Sequence, residues 1–476
     1  MTEARVRSHG AAGWFDGDGA EVTTADPSHP RSTVARLSPV TGPAVARHIE
    51  AGREARRLWR ERPIGERGAV LRTAAALLAE RADRIGVDLA RDMGKPVREA
   101  VAEVRRASEI FAYHAAAAWM PVAHGYAGAT GSQTVQVVQC PVGTIAVITP
   151  WNFPVAIPAW KIAPALVFGN GVVWKPSSAS PLTAHRLMEC LIDAGLPDGV
   201  VTCLHAPGRV ASSITGHPDI DAVTFTGSTG IGRGVVRDAV DRGIPVQAEL
   251  GGKNVTIVWE DADLDRAVAG VLTGGFSGNG QKCTATSRLI LSAGIADDFL
   301  ERLRLAVAGI EVGPAEDEGS AVGPLISAEA RDAALRAIDE QGGRLVAEAR
   351  VPAGATGWFL PPTVVELEAA DGPLWREELF APVVAVVRAS DADEAIRLAN
   401  DTEYGLAGAV YTQRRDLIAR VVAELDVGML SVNEPTTGGY PYVPFGGWRS
   451  SGHGPREQGE SARQFFTRTK TVHIGL

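Results

Sequence analysis

Residues 143–154 read Gly-Thr-Ile-Ala-Val-Ile-Thr-Pro-Trp-Asn-Phe-Pro, an apolar strand followed at once by a proline-bounded turn. The same plan recurs in the short apolar runs that end near Trp174, Cys203 and Phe225, with helical stretches between them. Buried strands that alternate with helices are typical of a parallel, doubly wound sheet. The segment therefore predicts an α/β fold in which this strand has parallel neighbours.

A second alternating series begins near residue 254 and runs to about residue 431. Apolar runs at 383–387 and 407–412 have the length of buried strands, and residues 391–400 have helical periodicity. We expect two doubly wound α/β domains in series. The chain of 476 residues is long enough for two or three packed units.

The regions that flank these series are predicted to differ from them. Apolar residues recur at helical spacing from Pro43 to about Trp119, which predicts several packed amphipathic helices. Residues 1–30 are polar and are expected to form a loose arm. After a glycine-rich stretch that ends at Gly131, the alternating run from Thr134 predicts a half-exposed strand in a projecting ribbon.

The composition excludes several classes of function. Lys and Arg number 47 against 56 Asp and Glu, a net charge of −9 that disfavours nucleic acid and anionic membranes as partners. The four cysteines form no CxxC pair, and the ten histidines show no metal-ligand spacing, so we expect no disulfide framework and no metal site. No apolar stretch suits a secretory signal or a membrane span, and a cytoplasmic location is predicted.

Three motifs follow predicted strands of the first series. Asn152 ends one strand, where its amide could stabilise a developing oxyanion, although a structural turn asparagine is the simpler interpretation. Lys175-Pro-Ser-Ser178 ends the next strand, where a cation and hydroxyls could meet a ribose or a phosphate. Phe225-Thr-Gly-Ser228 opens a helix whose free N–H groups suit a pyrophosphate, or are only capped.

Two further segments carry groups suited to covalent catalysis. Glu249-Leu-Gly-Gly-Lys-Asn254 places a carboxylate against two glycines, and Gly280-Gln-Lys-Cys283 places a thiol among small residues. A cysteine near a lysine and free backbone amides is expected to have a lowered pKa, and a carboxylate in a tight pocket suits a general base. Taken alone, a single cysteine is more often an inert core residue.

Together these motifs resemble the aldehyde dehydrogenase superfamily, from about Thr33 to the C-terminus. Motifs in this order and at these intervals are hard to obtain by chance, which overrides the simpler interpretation of each one. The motifs that carry the resemblance are Thr149-Pro-Trp-Asn-Phe-Pro, Lys175-Pro-Ser, Phe225-Thr-Gly-Ser, Glu249-Leu-Gly-Gly-Lys-Asn, Gly280-Gln-Lys-Cys, Glu377-Glu-Leu-Phe-Ala-Pro-Val and Pro444-Phe-Gly-Gly.

The resemblance implies a catalytic role for three residues. Cys283 matches the nucleophile that forms a thiohemiacetal, whose oxyanion Asn152 and the backbone N–H of Cys283 would hold. Glu249 matches the base that activates water to hydrolyse the thioester formed after hydride transfer. Its presence argues against the branch of the superfamily that transfers the acyl group to coenzyme A. The implied product is a free carboxylic acid.

The implied cofactor is NAD or NADP. Ser178 stands where NAD-preferring relatives often have Glu, so no carboxylate would repel a 2′-phosphate and NADP should be accepted. Ala381 in place of a common Gly, and Ala206-Pro-Gly208 in place of a Gly-x-Gly pair, depart from the family pattern. The implied cofactor-binding residues are Thr149, Trp151, Lys175, Ser178, Gly208, Phe225, Gly227, Ser228, Gly251, Glu378 and Phe380.

The resemblance also implies a domain plan. Residues 1–120 and 141–250 would form a Rossmann-like cofactor domain, and residues 251–445 a catalytic domain. Residues 121–140 and 446–476 would form a small β oligomerisation ribbon. The C-terminal strand resembles a tail that pairs with the ribbon of another subunit, with an intramolecular strand as the alternative. A homodimer or homotetramer is implied.

The substrate is the least determined feature. The sequence around Cys283 and the loop 433–442 look most like alpha-ketoglutaric semialdehyde dehydrogenases, and an anionic aldehyde would need a cation in its pocket. A broad-range aliphatic or aromatic aldehyde dehydrogenase and a catalytically idle homologue with a structural role are the alternatives. The predicted pocket residues are Phe153, Trp160, Lys282, Thr284 and Phe445.

Overall fold

The computed structural model describes residues 3–120, 123–129 and 132–475. The predicted domain limits at residues 1, 121 and 476, and the end of the glycine-rich stretch at Gly131, lie outside the described residues. Within the described ranges the chain is a mixed α/β protein built around two large sheets. This architecture confirms the predicted fold class.

The strands alternate with the helices over most of the chain. In chain order the strands are β1 (Ala4–Arg5), β2 (Ser8–Gly10), β3 (Gly13–Phe15), β4 (Val22–Ala25), β5 (Thr33–Leu37), β6 (Ala123–Ala127), β7 (Gln133–Pro141), β8 (Thr144–Ile148), β9 (Gly171–Lys175), β10 (Val201–Cys203), β11 (Ala222–Thr226), β12 (Val246–Glu249), β13 (Asn254–Val258), β14 (Thr286–Ser292), β15 (Arg344–Glu348), β16 (Thr363–Glu366), β17 (Val383–Ala389), β18 (Tyr404–Gly405), β19 (Ala407–Tyr411), β20 (Met429–Val432), β21 (Trp448–Arg449), β22 (Gly452–His453) and β23 (Thr467–Gly475).

The helices include the N-terminal group predicted from Pro43 to about Trp119. In chain order they are α1 (Gly42–Ala51), α2 (Arg53–Glu61), α3 (Ile64–Glu80), α4 (Ala82–Met93), α5 (Val97–Ala116), α6 (Ala156–Val167), α7 (Pro181–Asp193), α8 (Ala211–Thr215), α9 (Thr229–Asp241), α10 (Leu264–Phe276), α11 (Ala296–Ala308), α12 (Ala328–Gln341), α13 (Pro373–Arg376), α14 (Ala392–Asn400), α15 (Arg415–Glu424) and α16 (Gly459–Phe466). Short 3-10 turns cover 117–119, 208–210 and 277–280.

The first sheet has eight strands in the order β22-β12-β11-β8-β9-β10-β2-β3. The five from β12 to β10 are parallel, so their carboxyl ends lie along one edge. Strand β8 stands between β9, the next strand of this sheet in the chain, and β11, which returns on its other side. Such a reversal opens a crevice at the carboxyl edge where α/β sheets bind ligands.

Helices cover both faces of this sheet because its central strands are apolar on both sides. Ile145 and Val147 pack with the cluster that contains α3 to α6, whereas Ala146 and Ile148 pack with the cluster that contains α1 and α9. A strand buried on both faces has a continuous apolar sequence. The continuous apolar run at 145–148 is therefore typical of a central strand, which is where the structure places it.

The second sheet has seven strands in the order β15-β16-β17-β14-β13-β19-β20. All pairs are parallel except β15 with β16. Helices α12 to α15 cover one face, and α10 and α11 cover the other. Only residues 250–253 separate β12 of the first sheet from β13 of the second. The two sheets therefore meet at that point.

The predicted loose arm at residues 1–30 is wrong. Ser8–Gly10 pairs antiparallel with β10 and extends the first sheet, and all three of its residues are buried. Val22–Ala25 pairs with β5 in a separate three-stranded sheet. These strands have two to four residues each and lie at or beside a sheet edge. So short and polar an edge strand leaves no periodic apolar signal.

The ribbon is formed within one chain. Strand β23 pairs antiparallel with β7 from Thr467 opposite Pro141 to Gly475 opposite Gln133, and β6 covers the other side of β7. The predicted pairing of the tail with another subunit is thus corrected to the intramolecular alternative. Helix α16 packs against α6 and leads the chain directly into β23, which brings the tail to its own ribbon.

The predicted bridging segment 446–476 is only partly ribbon. Gly452–His453 pairs with β12 and closes the first sheet, and Trp448–Arg449 pairs with β18. Only Thr467–Gly475 joins the ribbon sheet.

Candidate active site

The site lies where the carboxyl edge of the first sheet meets the amino edge of the second. Glu249 ends β12, and Asn254 begins β13 five residues after it. Cys283 precedes β14, and Asn254 stands in register with Thr286 on that strand. The amide of Asn254 donates from Nδ2 to the Cys283 carbonyl at 2.7 Å. The two motifs, 34 residues apart, are therefore brought together (283 − 249 = 34).

The turn that carries Cys283 has an unusual backbone. Gly278, Asn279 and Gly280 have φ angles of 60°, 60° and 67°, all in the left-handed region. A Cβ on Gly280 would lie 2.4 Å from the Ala381 carbonyl oxygen, so glycine is required there for space as well as for conformation. The Gln281 N–H closes the turn by donating to the Gly278 carbonyl at 2.9 Å.

The Cys283 thiol is half-buried, and its pKa is raised to about 12. Burial is the main cause, and the negative charges of Glu378 and Glu249 add to it. The lowered pKa expected from the sequence is therefore wrong for the protein without its cofactor. The expectation rested on Lys282, whose Nζ instead donates to the Thr273 carbonyl at 3.1 Å and to Ser277 Oγ.

The Asn152 side chain is buried and faces the turn that carries Cys283. Its Nδ2 donates to the Gln281 carbonyl at 3.0 Å. A primary amide has two N–H donors, and this bond uses one of them. The second N–H makes no hydrogen bond among the described residues, and a free amide N–H beside the turn that carries Cys283 is the kind of donor that an oxyanion site requires.

Glu249 is 4% exposed, and its Oε2 accepts a hydrogen bond from the Gly447 N–H at 3.2 Å. Burial, and then the neighbouring carboxylate of Glu457, raise its pKa well above the ordinary value. Lys161 and Arg456 act in the opposite direction. A carboxyl group with a raised pKa, near enough to influence the Cys283 thiol, suits general base chemistry near neutral pH.

Behind Glu249 lies a buried polar network that the sequence analysis did not assign. Lys161 on α6 forms an ion pair with Glu457 and donates to Thr224 Oγ1 at 2.7 Å. Trp160 Nε1 donates to the other oxygen of Glu457 at 2.6 Å. Two signals pointed to it: Lys161 interrupts an otherwise apolar helix, and Glu457 lies in the motif Pro455-Arg-Glu-Gln-Gly. A charge in so apolar a segment must have a partner.

Lys175 and the start of α9 form the outer part of the cleft. The Lys175 ammonium is 5% exposed and donates only to the adjacent Pro176 carbonyl, at 3.2 Å, among the residues that the structure describes. Burial lowers its pKa to about 8. Ser228 is the N-cap of α9 and makes no side-chain cap bond, which leaves first-turn N–H groups unpaired.

Glu378 and Phe380 approach from the second sheet. Glu378 Oε1 accepts from the Gly252 N–H at 2.9 Å, and burial raises its pKa to about 7. Phe380 has a φ of 55°, and its ring contacts the Trp151 ring edge-on at 5.6 Å between centroids. Residues predicted from two distant motifs, with Gly251 beside them, thus line one cleft.

Most of the remaining predicted cofactor residues pack against, or hydrogen-bond to, the residues described above. The Phe225 ring packs against Gly227, whose N–H donates to the Glu249 carbonyl. Thr149 is buried, and its Oγ1 accepts from Trp174 Nε1 at 2.9 Å. Ser178 and Gly208 are exposed at the carboxyl edge of the same sheet.

These groups fit a dinucleotide. An under-partnered ammonium and an uncapped helix start suit a ribose and a pyrophosphate, and a carboxylate beside a glycine suits ribose hydroxyls. Lys175, Ser228 and Glu378 would hold it. Among residues 3–120, 123–129 and 132–475, no group of three or more His, Cys, Asp or Glu is arranged to hold a metal ion.

Of the predicted substrate residues, Phe153, Lys282 and Thr284 are sequence neighbours of Asn152 and Cys283, and Trp160 and Phe445 are buried. The rings of Trp160 and Phe445 contact each other at 5.7 Å. Phe153 lies beneath the Lys95 ammonium, 3.8 Å from Nζ to the ring centroid. Thr284 is buried, and its carbonyl accepts from Thr436 Oγ1 at 2.7 Å.

Residues 14–472 match the model of the aldehyde dehydrogenase family. The chain belongs to this family. The alpha-ketoglutarate semialdehyde dehydrogenase of Haloferax volcanii is 41% identical over 97% of both chains. The alpha-ketoglutaric semialdehyde dehydrogenase of Bacillus subtilis is 35% identical over 96% of this chain and 95% of its own.

Comparison with solved structures points to the same family. Betaine aldehyde dehydrogenase from Staphylococcus aureus, in complex with NAD+, superposes with a TM-score of 0.93 at 30% identity, over 98% of this chain and 94% of its own. The predicted family, its NAD(P)-dependent oxidoreductase chemistry and its cofactor class are confirmed. In the described part of the aldehyde dehydrogenase chain, no helix is long and apolar enough to cross a membrane.

Proposed function

We propose that the protein oxidises a small aldehyde bearing a carboxylate to the corresponding acid, with reduction of NAD or NADP. Cys283 is the nucleophile, Asn152 the oxyanion donor and Glu249 the general base. The single observation that carries this assignment is the meeting of these three residues at the junction of the two sheets.

The chemistry follows from this placement. The Cys283 thiol gives its proton to solvent as its sulfur bonds to the aldehyde carbon, and the C=O π electrons pass to the oxygen, which becomes an oxyanion held by the Asn152 amide and the Cys283 N–H. A nicotinamide cofactor held by Lys175, Ser228 and Glu378 would supply the acceptor for the hydride that leaves this carbon. The resulting thioester carbon is then attacked by a water whose proton passes to Glu249, and the thiolate leaves. The acid is released.

A positive charge at the substrate side supports an anionic substrate. Arg106 on α5 is half-buried, and its Nη1 donates to the Gly439 carbonyl beside Phe445. Its Nε and Nη2 make no hydrogen bond to any residue that the structure describes. Planar N–H donors at the edge of an aromatic pocket suit a carboxylate.

Two more cationic side chains, Lys95 and Lys282, lie near the predicted substrate residue Phe153 and near Cys283. Lys95 borders Phe153, and the charge of Lys95 helps to lower the pKa of Lys282 to about 8. Burial is the larger cause of that shift. Lys95 is paired with Glu103, and Lys282 donates to Thr273 and Ser277, so the argument for an anionic substrate rests on the free donors of Arg106. Together with the two semialdehyde dehydrogenases that the chain resembles, Arg106 favours a semialdehyde over a neutral aldehyde.

A substrate panel tests this proposal. Purified protein with NAD or NADP is offered alpha-ketoglutaric semialdehyde, succinic semialdehyde, hexanal and benzaldehyde, and the absorbance of reduced nicotinamide is followed. We expect kcat/KM for the two semialdehydes to exceed that for the neutral aldehydes by at least 10-fold. Preference for hexanal or benzaldehyde would contradict the anionic substrate while keeping the chemistry.

The aromatic pair Trp160 and Phe445 supports one second candidate, a broad-range aldehyde dehydrogenase with an apolar pocket. The same panel separates the two. Silence on every aldehyde with both cofactors would favour an idle homologue, against which the intact Cys283, Glu249 and Asn152 argue. Ser178 carries no charge, so the protein should accept NADP in addition to NAD.

We also propose a homodimer or homotetramer built through the ribbon. Tyr126 on the ribbon is 60% exposed, and Trp119 in the 3-10 turn that precedes the ribbon in the chain is 77% exposed. A three-stranded ribbon without a core of its own gains stability from a covering surface. Light scattering should give a multiple of 50.0 kDa, and Tyr126→Lys should shift it towards the monomer. A wild-type monomer would contradict this. The domain limits and the cytoplasmic location given above stay predictions.

A further inference from the structure

The corner between α4 and α5 touches both halves of the candidate catalytic site. Gly94 ends α4 with a φ of 82°, and its carbonyl accepts from Asn279 Nδ2 at 2.7 Å. The next residue, Lys95, donates from Nζ to the Asn152 carbonyl at 2.7 Å. One side of the corner thus holds the nucleophile turn, and the other holds the oxyanion donor.

A third hydrogen bond closes this arrangement into a ring. Asn152 Nδ2 donates to the carbonyl of Gln281, which follows Asn279 by two residues in the nucleophile turn. The Asn279 side chain is itself fully buried, and it also binds Pro324 and Gly323. Gly94, Lys95, Asn152, Asn279 and Gln281 are all buried, so the ring is packed into the protein interior.

Lys95 has contacts that suit it for holding a position. It is 2% exposed, forms an ion pair with Glu103, and lies over the Phe153 ring. The other oxygen of Glu103 accepts from the Val155 and Ala156 N–H groups at 3.0 and 3.2 Å, at the start of α6. The pair therefore holds the segment 152–156 at both ends.

We propose that Lys95 is the positioning residue of the oxyanion site, setting the distance between the Asn152 amide and the Cys283 turn. The inference rests on the roles proposed above for Asn152 and Cys283. Lys95 acts through the Asn152 backbone and takes no part in proton transfer. Misplacement of a catalytic group by about 1 Å can cost on the order of 100-fold in rate, so the effect should fall on the first half-reaction.

A double-mutant cycle tests this inference. Lys95→Met is combined with Glu103→Gln so that no buried charge is left unpaired, and the pair is made with and without Asn152→Ala. The rate of the first-turnover burst of reduced cofactor is measured with the best aldehyde of the panel. Cofactor affinity and the melting temperature are measured alongside.

We expect the Lys95 and Glu103 changes to slow the burst by about 10- to 100-fold with Asn152 present and by less than about 3-fold with Asn152→Ala. Cofactor affinity should change little. Lys95→Arg, which keeps the charge and a donor, should recover part of the rate. Removal of a remote ion pair by Arg186→Met with Asp88→Asn is the matched control and should leave the burst unchanged.

Two outcomes would overturn the inference. Equal losses in both backgrounds would mean that Lys95 acts independently of Asn152, and a loss confined to cofactor affinity would place its role elsewhere. If the pair variant does not fold, Lys95→Arg and Lys95→Met alone are put through the same cycle. If Asn152→Ala itself leaves the burst intact, the proposed role of Asn152 fails, which is a separate result.

Discussion

The Glu378 carboxylate fills the space beside Gly251: a Cβ atom on Gly251 would lie 2.2 Å from Glu378 Oε2. The same carboxylate accepts from the Gly252 N–H through its other oxygen. Backbone and carboxylate are thus packed against each other across the junction of the two sheets, and a side chain at residue 251 would require the carboxylate to move.

Gly251→Ala should displace the Glu378 carboxylate from the cofactor cleft. We expect KM for NAD to rise about 10-fold or more, because a charge-assisted hydrogen bond contributes roughly 1.5–3 kcal/mol. Initial rates at varied NAD concentration measure this. Gly294→Ala, where a Cβ meets open space, is the control and should leave KM unchanged. An unchanged KM for NAD in Gly251→Ala would argue against the role of Glu378.

The Cys283 thiol should react slowly with iodoacetamide at neutral pH in the protein without cofactor. Its pKa of about 12 leaves little thiolate at pH 7, so the alkylation rate should still rise between pH 8 and 10. Removing a nearby negative charge lowers a thiol pKa, and Glu249→Gln should therefore speed alkylation at pH 8. Peptide mapping separates this site from Cys140, which is also half-buried. A rate that is flat from pH 7 upward would contradict the raised pKa.

Thioester hydrolysis should lose rate as the pH falls, because Glu249 must be ionised to accept a proton. Burial raises the pKa of Glu249, so the loss should begin well above the ordinary carboxyl range near 4.5. Steady-state kcat against pH shows this limb. Glu249→Gln should retain a first-turnover burst but lose most steady turnover and the limb itself. Absence of the burst would move Glu249 to the first half-reaction.

Arg106→Met should weaken the binding of anionic substrates selectively. We expect KM for a semialdehyde to rise about 10- to 100-fold, from the loss of a charge-assisted hydrogen bond, with little change for hexanal. The neighbouring Arg105 is exposed and pairs with Asp83, so Arg105→Met is the matched control. An equal rise in KM for the semialdehyde and for hexanal would mean that Arg106 only supports the loop, through its hydrogen bond to Gly439.

Breaking the Lys161–Glu457 pair should destabilise the fold strongly. Both side chains are almost fully buried, and loss of one partner from such a pair costs about 3–5 kcal/mol of unfolding free energy. Lys161→Met should therefore lower the urea midpoint more than Lys161→Met combined with Glu457→Gln. The exposed pair Arg233–Glu403 is the control, and Arg233→Met should change the midpoint little. A double variant less stable than the single one would refute the argument.

The sequence predicted the fold best where a strand is buried on both faces. The runs at 145–148 and 383–387 are almost wholly apolar and carry their own signal. Ser8–Gly10 is as much a part of the first sheet, but it lies next to the edge strand and its three residues are too few to show a pattern. The prediction for the C-terminal strand named the right partner strand but the wrong subunit. A sequence pattern can indicate which two strands pair, but it does not say whether they belong to the same chain.

The site was predictable to the extent that short motifs carry it. Cys283, Glu249 and Asn152 stand in such motifs, whereas Lys161 and Glu457 are 296 residues apart and meet only through the fold. The pKa of Cys283 could not be judged from its neighbours in sequence, because Lys282 points to Ser277 while the charges that act on the thiol come from Glu378 and Glu249. The roles assigned to these residues stay predictions until the variants are measured.

Strand β22 has a consequence for the order in which the first sheet can be completed. It pairs Gly452 with Glu249, and the Leu250 N–H donates to the Ser451 carbonyl at 2.8 Å. The strand that ends at Glu249 is therefore completed by a segment that is synthesised about two hundred residues after it. A nascent chain stalled between the two has an open sheet edge and no Glu457, so it should aggregate. The sheet edge at Glu249 is in this way closed only after residue 453 has been made.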